Sequence, residues 1–410
     1  MNNPTASSGV SFSVLGRHSV LDTESSSISW IPAFAGMTDS RQATGNVPRV
    51  IQGDKGSSKM TMNFEPFFLP IGIGSLPYKD PYRASKIILN QFPESPYWPQ
   101  LPSRGFREGM LAQFTEGMPG LAIDGERIYF HTPFNPSSEW ERFYELSQEG
   151  NEDHFGIGKE YASGFHTMLE LLKGKAPKLV KGQLAGPVTL GLGLLDEKKI
   201  PILYDPNLME MLLKTLSLRA RWQEKEFRKV APDAETLIFF DEPFLSSYGS
   251  ISMNLGKQEI VGYLREAASS LRGLSGIHVC GATDWSIIME TGIKVIHFDA
   301  YRYFPNMLAY ASELKKFLIN GGILGWGIVP SEEEYIKVET TLNLIASLEE
   351  KIRLLIKEGI PEEFLIKSSL LSQSCGLSST SEELAEKALR LTSELSLHMR
   401  KRFDSKTIHE

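Results

Sequence analysis

A histidine and a cysteine stand two residues apart in a short apolar run, G-I-H-V-C-G, which glycines bound on both sides. If this run is a strand, its period of two turns His278 and Cys280 to the same face, where an imidazole nitrogen and a sulfur can converge. The chain's other cysteine, Cys375, and the carboxylate of Asp299 would complete a set of nitrogen, sulfur and oxygen ligands that suits zinc. The alternative for the two cysteines is a pair of buried, unreactive thiols.

The chemistry of such a site follows from its charge. Two thiolates and one carboxylate around Zn²⁺ leave a net negative charge, so a bound sulfur would keep the electron density that alkylation of a thiolate requires. Zinc also lowers the pKa of a substrate thiol, which is then deprotonated at neutral pH and remains a nucleophile. His297 is an alternative ligand on the same strand as Asp299, but we expect it behind the ligands, where it would support one of them.

Alternating strand-like and helix-like segments from Phe67 onward must position these residues. About eight strand candidates with intervening helices predict an α/β fold, a (β/α)8 TIM barrel with insertions, rather than a doubly wound sheet. One long charged helix is predicted from Ser331 to Glu358, and the stretch from Tyr78 to Leu121, rich in proline and aromatic residues, has the least regular pattern. The strand candidates are 67–77, a hairpin at 123–131, 179–191, 236–243, 276–281, 294–300, 322–330 and 364–376.

Polar residues recur at the carboxyl ends of the predicted strands. In a (β/α)8 barrel this end is the active face, so we expect these side chains to meet around one site. A structural pair that caps a strand end is the alternative for Asp241 and Glu242. The residues concerned are Ser75, Asp241 with Glu242, His278 with Cys280, Asp299 and Cys375.

The composition argues against several classes of function. The chain has 410 residues, 41% of them hydrophobic, a formal net charge of −7 and a pI near 5.8. This acidic balance is unlike that of a nucleic-acid-binding protein. No apolar run approaches the roughly 18 to 20 residues that cross a bilayer, and no basic start followed by an apolar segment marks a leader. We therefore expect a cytoplasmic protein that contacts neither nucleic acid nor membrane.

Residues 1–59 have a composition unlike the rest of the chain. They are rich in serine, glycine and threonine and show no sustained periodicity, so we expect a disordered extension. The segment resembles translated intergenic repeat sequence, and Met60 or Met62 would be a more natural start than Met1. Residues 60–410 are then expected to form a single zinc-binding barrel domain.

Six motifs occur in an order that resembles a known family. They are I-G-S-L-P, A-G-P-V-T, D-E-P, G-I-H-V-C-G, V-I-H-F-D-A and S-C-G-L, and they extend over essentially the whole stretch from Phe67 to Arg402. The pattern resembles the catalytic C-terminal barrel of cobalamin-independent methionine synthase, in a form with one barrel. It is similar more broadly to the superfamily that includes uroporphyrinogen decarboxylase and thiol methyltransferases acting on methylated corrinoids.

The resemblance implies roles for individual residues. An aspartate stands at position 299 where the family has a glutamate ligand. Asp241 would be the catalytic residue and would hold the substrate with Ser75, and Glu242 is a further candidate for substrate contact. The implied zinc ligands are His278, Cys280, Asp299 and Cys375.

The resemblance also implies a reaction, the transfer of a methyl group to the sulfur of homocysteine to give methionine. Folate-dependent family members have two barrels and a histidine acid after the seventh strand, where this chain has Val329. A tetrahydrofolate nitrogen leaves poorly unless it is protonated, so loss of the acid costs on the order of 10² to 10⁴ in rate. A cob(I)amide leaves without a proton. We therefore expect a methylated corrinoid as donor, either free or on a partner corrinoid protein.

Two alternative functions stay open within the superfamily. One is a methyltransferase that acts on coenzyme M, although a carboxylate at Asp241 suits an ammonium group better than a sulfonate. The other is a decarboxylase like the uroporphyrinogen enzyme, which needs neither a metal nor these cysteines. A non-enzymatic, zinc-stabilised scaffold would instead have a closed site with four protein ligands.

Overall fold

Continuous apolar runs form the central strands, as expected for parallel strands that are covered on both faces. The structure, a computed structural model, describes residues 64–131, 138–249 and 253–404. The predicted extension at 1–59 lies outside these residues. The strands are β1 Leu69–Pro70, β2 Leu121–Asp124, β3 Arg127–Phe130, β4 Leu179–Ala185, β5 Leu195–Asp196, β6 Glu235–Asp241, β7 Leu274–Val279, β8 Val295–Phe298, β9 Ile323–Val329 and β10 Ser369–Gln373.

Seven of these strands form one curled parallel sheet in the order β1-β10-β9-β8-β7-β6-β4. Parallel bridges from Ser75 to Gln100 and from Tyr97 to Lys181 place the short segment 97–100 between β1 and β4. The Gln100 amide donates to the Gly74 carbonyl at 3.0 Å. This segment therefore takes the eighth position around the barrel, and the predicted fold class is confirmed.

The prediction of the individual strands was wrong in one place. The hairpin at 123–131 forms as β2 and β3, but β3 pairs with β5 in a separate sheet of three strands and takes no part in the barrel. The eighth position belongs instead to the segment 97–100, which lies in the stretch with the least regular pattern.

Helices surround the sheet and connect successive strands, as the barrel topology requires. Short 3₁₀ segments occur at Pro102–Arg104, Phe106–Glu108, Glu152–Phe155, Ile202–Tyr204 and Pro243–Ser247. The α-helices are α1 Pro81–Gln91, α2 Met110–Gln113, α3 Ser138–Glu149, α4 Ser163–Leu172, α5 Pro187–Gly193, α6 Pro206–Val230, α7 Lys257–Ala268, α8 Trp285–Met289, α9 Phe304–Leu308, α10 Ala311–Ile319, α11 Glu333–Val338, α12 Thr341–Lys357, α13 Glu362–Lys367 and α14 Glu382–Asp404.

Side-chain caps fix where several helices begin. Asp205 accepts hydrogen bonds from the amides of Asn207 and Leu208 at the start of α6, where a proline fits the first turn. Thr340 caps α12 through the Asn343 amide. This cap divides the single helix predicted from Ser331 to Glu358 into α11 and α12, because the capping residue has an extended backbone.

The last helix fastens the two ends of the described barrel together. The Ser396 hydroxyl of α14 donates to the Phe68 carbonyl at 2.7 Å, and the rings of Phe68 and Phe403 stack with centroids 5.7 Å apart. The strand β1 is therefore held by α14 on one face and by β10 at its edge. None of the described helices has the length and apolarity that crossing a membrane would take.

Candidate functional site

Three of the four predicted ligands meet at the carboxyl ends of the strands. A ring nitrogen of His278 and the sulfurs of Cys280 and Cys375 all lie within 4.8 Å of one another. Cys280 directly follows β7, and Cys375 follows β10 by two residues. His278 is buried, and both cysteine residues are half-buried. We call these three residues the ligand cluster.

Both cysteines of the cluster are free thiols. Contact with Cys375 lowers the pKa of Cys280, against the effect of burial. The same contact, together with burial, raises the pKa of Cys375 well above its ordinary value, although the neighbouring His278 opposes this. The two sulfurs are therefore in hydrogen-bond contact, and a cation bound to both could replace this contact.

The imidazole of His278 presents one free nitrogen to the cluster. Its Nδ1 lies 2.8 Å from Nδ1 of His297, whereas its Nε2 is buried and has no hydrogen-bond partner among the described residues. A buried polar atom without a partner costs about 1–3 kcal/mol, so such an atom calls for a specific explanation. A metal bound at Nε2 would satisfy it. The residues therefore fit a zinc ion.

Asp299 lies next to the ligand cluster but is not part of it. One carboxylate oxygen accepts a hydrogen bond from the Arg302 amide at 2.9 Å, and Arg302 forms an ion pair with Glu332. Burial raises the pKa of Asp299 to about 7, and the nearby Glu332 adds to this, against the Arg302 amide. The predicted role of Asp299 as a ligand stays a prediction.

His297 lies behind the ligand cluster, fully buried in the barrel. Besides its contact with His278, its Nε2 forms a hydrogen bond with the Ser372 hydroxyl. Both ring nitrogens are therefore engaged, in keeping with the predicted position behind the ligands rather than on the metal.

Asp241 ends β6 in direct register with His278. The residue is 5% exposed, and its Oδ1 is buried without a hydrogen-bond partner among the described residues. Burial raises the pKa of this carboxyl group, while the charges of His278 and Lys181 lower it. A carboxylate oxygen without a donor, beside the cluster, is suited to accept a hydrogen bond from a ligand.

Glu242 has a different task from the predicted substrate contact. Its carboxylate accepts hydrogen bonds from the amides of Val188 and Thr189, each at 2.8 Å, and from the Thr189 hydroxyl at 2.6 Å. Gly186 makes room, since a Cβ there would lie 2.3 Å from the carboxyl group. Burial raises the pKa of Glu242 to about 7 despite these hydrogen bonds. With no exposed surface and both oxygens engaged, Glu242 supports the start of α5 rather than a substrate.

Ser75 lies beside the turn that carries Cys375. A Cβ at Gly376 would lie 2.0 Å from the Ser75 hydroxyl oxygen, and the Leu377 amide donates to the Ser75 carbonyl at 2.9 Å. The half-buried Ser75 therefore faces the glycine that follows Cys375, which is compatible with the predicted role in substrate binding.

Sequence reasoning missed Lys181, a buried lysine on β4. Its ammonium donates to the Ile73 carbonyl at 2.6 Å and to Oε1 of Gln183 at 3.1 Å, and it lies 4.8 Å from the Phe239 ring centroid. Burial lowers the pKa of Lys181 to about 7, and Asp241 opposes this. A signal was present, because a lysine in a largely apolar strand run, L-V-K-G-Q-L-A, is expected to be buried in a sheet that is covered on both sides.

Comparison with known proteins identifies structural neighbours only. No family model matches the chain, and no curated protein does. A B12-independent methionine synthase from Shewanella sp. W3-18-1, in complex with selenomethionine, aligns over 82% of this chain and 99% of its own with 14% identity and a TM-score of 0.51. A putative B12-independent methionine synthase from Listeria monocytogenes aligns over 81% and 98% with 15% identity and a TM-score of 0.46. The first comparison shows a methionine synthase-like fold.

Proposed function

We propose that this protein is a zinc-dependent methyltransferase that methylates a thiol, with homocysteine as acceptor and a methylated corrinoid as donor. The observation that carries the proposal is the ligand cluster, in which one histidine nitrogen and two sulfurs converge within 4.8 Å at the active face of a barrel. The methionine synthase-like fold of the Shewanella protein supports the same reaction class.

Zinc would be held by Nε2 of His278 and by the sulfurs of Cys280 and Cys375, with Asp299 beside them as the fourth candidate. When bound, zinc lowers the pKa of a substrate thiol and so supplies a thiolate at neutral pH. Three protein ligands with one open position are typical of catalytic rather than structural zinc sites.

The acceptor is inferred from the groups around the cluster. The carboxylate of Asp241 has an oxygen without a donor, which an ammonium group of an amino-acid substrate would fill. Ser75 would contribute a hydroxyl next to Gly376. A sulfonate such as coenzyme M would be repelled by the same carboxylate, so the site favours homocysteine.

The donor is inferred from the end of β9. In the family that the sequence resembles, a histidine at this place acts as a general acid. Here the residue is Val329, which is fully buried and has no acidic group that could donate a proton. In the proposed transfer, the thiolate sulfur forms a bond to the methyl carbon while the cobalt–carbon bond breaks. Both electrons of that bond stay on cobalt, which leaves as cob(I)amide and needs no proton. The description B12-independent belongs to the neighbours, whose low identity relates them to this chain by fold alone.

The proposal is tested by metal analysis of the purified protein, followed by a donor and acceptor screen. We expect stoichiometric zinc, and consumption of methylcobalamin with homocysteine to give methionine. Turnover with methyltetrahydrofolate alone would reverse the assignment of the donor, and turnover with coenzyme M that of the acceptor. A protein that binds no zinc and methylates neither thiol would contradict the proposal and favour decarboxylase-like chemistry.

Variants at the end of β10 provide the matched control. Cys375→Ser removes one sulfur, so we expect loss of both tight zinc binding and turnover. Ser374→Ala changes the adjacent buried residue, whose hydroxyl contacts Ser331 at 2.9 Å and not the cluster. This variant should keep its zinc. If Cys375→Ser retained activity, Cys375 would not belong to the site.

A further inference from the structure

We propose that His297 and Ser372 form a hydrogen-bonded chain that fixes His278 in the one tautomer whose Nε2 carries a free lone pair. Both are positioning residues, since they act on the ligand cluster through His278. The inference rests on the proposed function only in taking the cluster as a metal site. The tautomer of His278 itself can be determined in the metal-free protein.

The direction of each hydrogen bond follows from the Gln373 carbonyl, which terminates the series of hydrogen bonds. The Ser372 hydroxyl donates its single proton to the Gln373 carbonyl at 2.8 Å. Its oxygen can then only accept from Nε2 of His297, so that nitrogen carries the proton. This is the one assignment of the hydroxyl proton that makes both contacts of Ser372 hydrogen bonds, because the Gln373 carbonyl oxygen can only accept.

The direction of the hydrogen bond between His278 and His297 follows from the protonation state of His297. The ring has no exposed surface, and its hydrogen-bond partners in the described structure are His278 and Ser372, neither of them an anion. A buried imidazolium without an anionic partner is costly, so the ring is neutral and its Nδ1 is an acceptor. At a separation of 2.8 Å, Nδ1 of His278 must then donate. The remaining nitrogen of His278, Nε2, is left with a lone pair and no proton.

Two glycines of β9 make room for this chain. The strand order places β9 between β8, which carries His297, and β10, which carries Ser372. A Cβ at Gly325 would lie 2.9 Å from the His297 ring, and a Cβ at Gly327 would lie 3.0 Å from it. A side chain at either position would crowd the His297 ring. At Gly327 it would also meet the Phe298 carbonyl oxygen at 2.7 Å and the Ser374 backbone at 2.8 Å. The two glycines of G-W-G in β9 therefore leave room for the His297 ring, and Gly327 also for the neighbouring backbone.

The expected effect of the chain is on metal affinity. A partner that orients a histidine ligand and fixes its tautomer is typically worth 10- to 100-fold in metal affinity. Without an acceptor at His297, the proton of His278 is free to move to Nε2, where it competes directly with the metal.

The experiment compares three variants by two readouts. Nitrogen-15 NMR of the metal-free protein gives the tautomer of His278, and competition with a chelator gives the zinc affinity. His297→Leu removes the acceptor and should lower zinc affinity about 10- to 100-fold. His297→Asn keeps an acceptor, since its amide oxygen lies near the former Nδ1, and should restore most of the affinity. Ser372→Ala should lower affinity and shift the proton of His278 toward Nε2.

Ser369→Ala is the matched control, because Ser369 is a buried serine of the same strand whose hydroxyl contacts Leu365 and Trp326 instead. It should leave both the tautomer and zinc affinity unchanged. A proton on Nε2 of His278 in the wild-type protein would overturn the proposal. Equal losses of zinc affinity in His297→Leu and His297→Asn would also overturn it, because they would show that His297 acts only through its packing. Because the tautomer is read without metal or substrate, failure of the methyl-transfer assay would leave this test intact.

Discussion

At the scale of single residues, the ligand cluster joins two residues that are close in sequence, His278 and Cys280, to a third that is distant in sequence, Cys375. His278 and Cys280 could be predicted as a pair, because a strand period of two aims both at one face. Their approach to Cys375 depends on β10 lying three strands from β7 in a closed barrel, which no local pattern contains. The support of a ligand by His297 was predicted, but its contact with Ser372 was out of reach, since it depends on the register of the four strands β7 to β10.

Asp241 provides a test of substrate binding that is separate from metal binding. Asp241→Asn removes the charge but keeps the size of the side chain, so we expect the KM for homocysteine to rise about 10-fold or more, as for loss of a charged hydrogen bond. Zinc content should be unchanged, because Asp241 is not in the ligand cluster. Steady-state kinetics with metal analysis measures both. An unchanged KM would remove Asp241 from the substrate site.

Asp299 provides a test of the fourth ligand. Its carboxylate lies outside the cluster and is engaged by the Arg302 amide, so we expect Asp299→Asn to lose less zinc affinity than Cys375→Ser. The expected loss is about 10-fold, the lower end of the range for groups near a metal site. Chelator competition on the two variants decides the matter. Equal losses would show that the metal recruits Asp299 as a full ligand.

At the scale of elements, the turns and caps at the ends of strands position the site. Predicted strands were recognisable as apolar runs bounded by glycine or proline. β4, β8, β9 and β10 lie within them, whereas β6 and β7 begin one and two residues before the predicted ranges. The predicted helix from Ser331 to Glu358 was wrong as one element, because helical periodicity continues across the Thr340 cap. A structural role was the alternative named for Glu242, but an acidic residue after a strand gives no sign of which helix it caps.

The cap at α5 has a measurable contribution to stability. In Glu242→Gln one oxygen becomes an amide nitrogen, so one of the buried amides of Val188 and Thr189 loses its acceptor. We expect a loss of about 1–3 kcal/mol in the free energy of unfolding near pH 5, where the raised pKa of Glu242 keeps the native carboxyl group protonated and the variant removes no buried charge. Urea denaturation measures it, with zinc content as the control. An unchanged free energy would mean that the cap contributes nothing.

At the scale of the whole molecule, the barrel closes through segments with weak sequence signals. The segment 97–100 contains Pro99 and follows Pro96, so it lacks the amides of a regular ladder and joins its neighbours at isolated bridges. The hairpin β2–β3 shows a regular strand pattern instead, and nothing in that pattern tells which sheet it joins. The number of strands could therefore be predicted, but not which segment completes the barrel.

The closure also depends on an ion pair between α14 and the segment that precedes the eighth strand position. A hydrogen bond from Arg400, aided by Lys178, lowers the pKa of Glu94 from its ordinary 4.5 to about 2. Because the folded protein favours the ionised form, this contribution is complete above about pH 4.5 and is lost as the pH falls toward 2. Glu94 is 37% exposed, so we expect Glu94→Gln to cost about 1 kcal/mol at pH 7.

Urea unfolding of wild-type protein and Glu94→Gln at several pH values between 7 and the lowest at which both fold measures this dependence. The difference in unfolding free energy should be constant at neutral pH and should shrink below about pH 4.5. A difference that grows with falling pH would contradict the assigned direction of the pKa shift.

Zinc X-ray absorption of the purified protein, recorded with and without homocysteine, tests the central claim most directly. The account predicts zinc with two sulfur neighbours and one histidine nitrogen from the ligand cluster, and a gain of one sulfur neighbour when homocysteine is added. A zinc spectrum without sulfur, or a closed site of four protein ligands that homocysteine leaves unchanged, would contradict it.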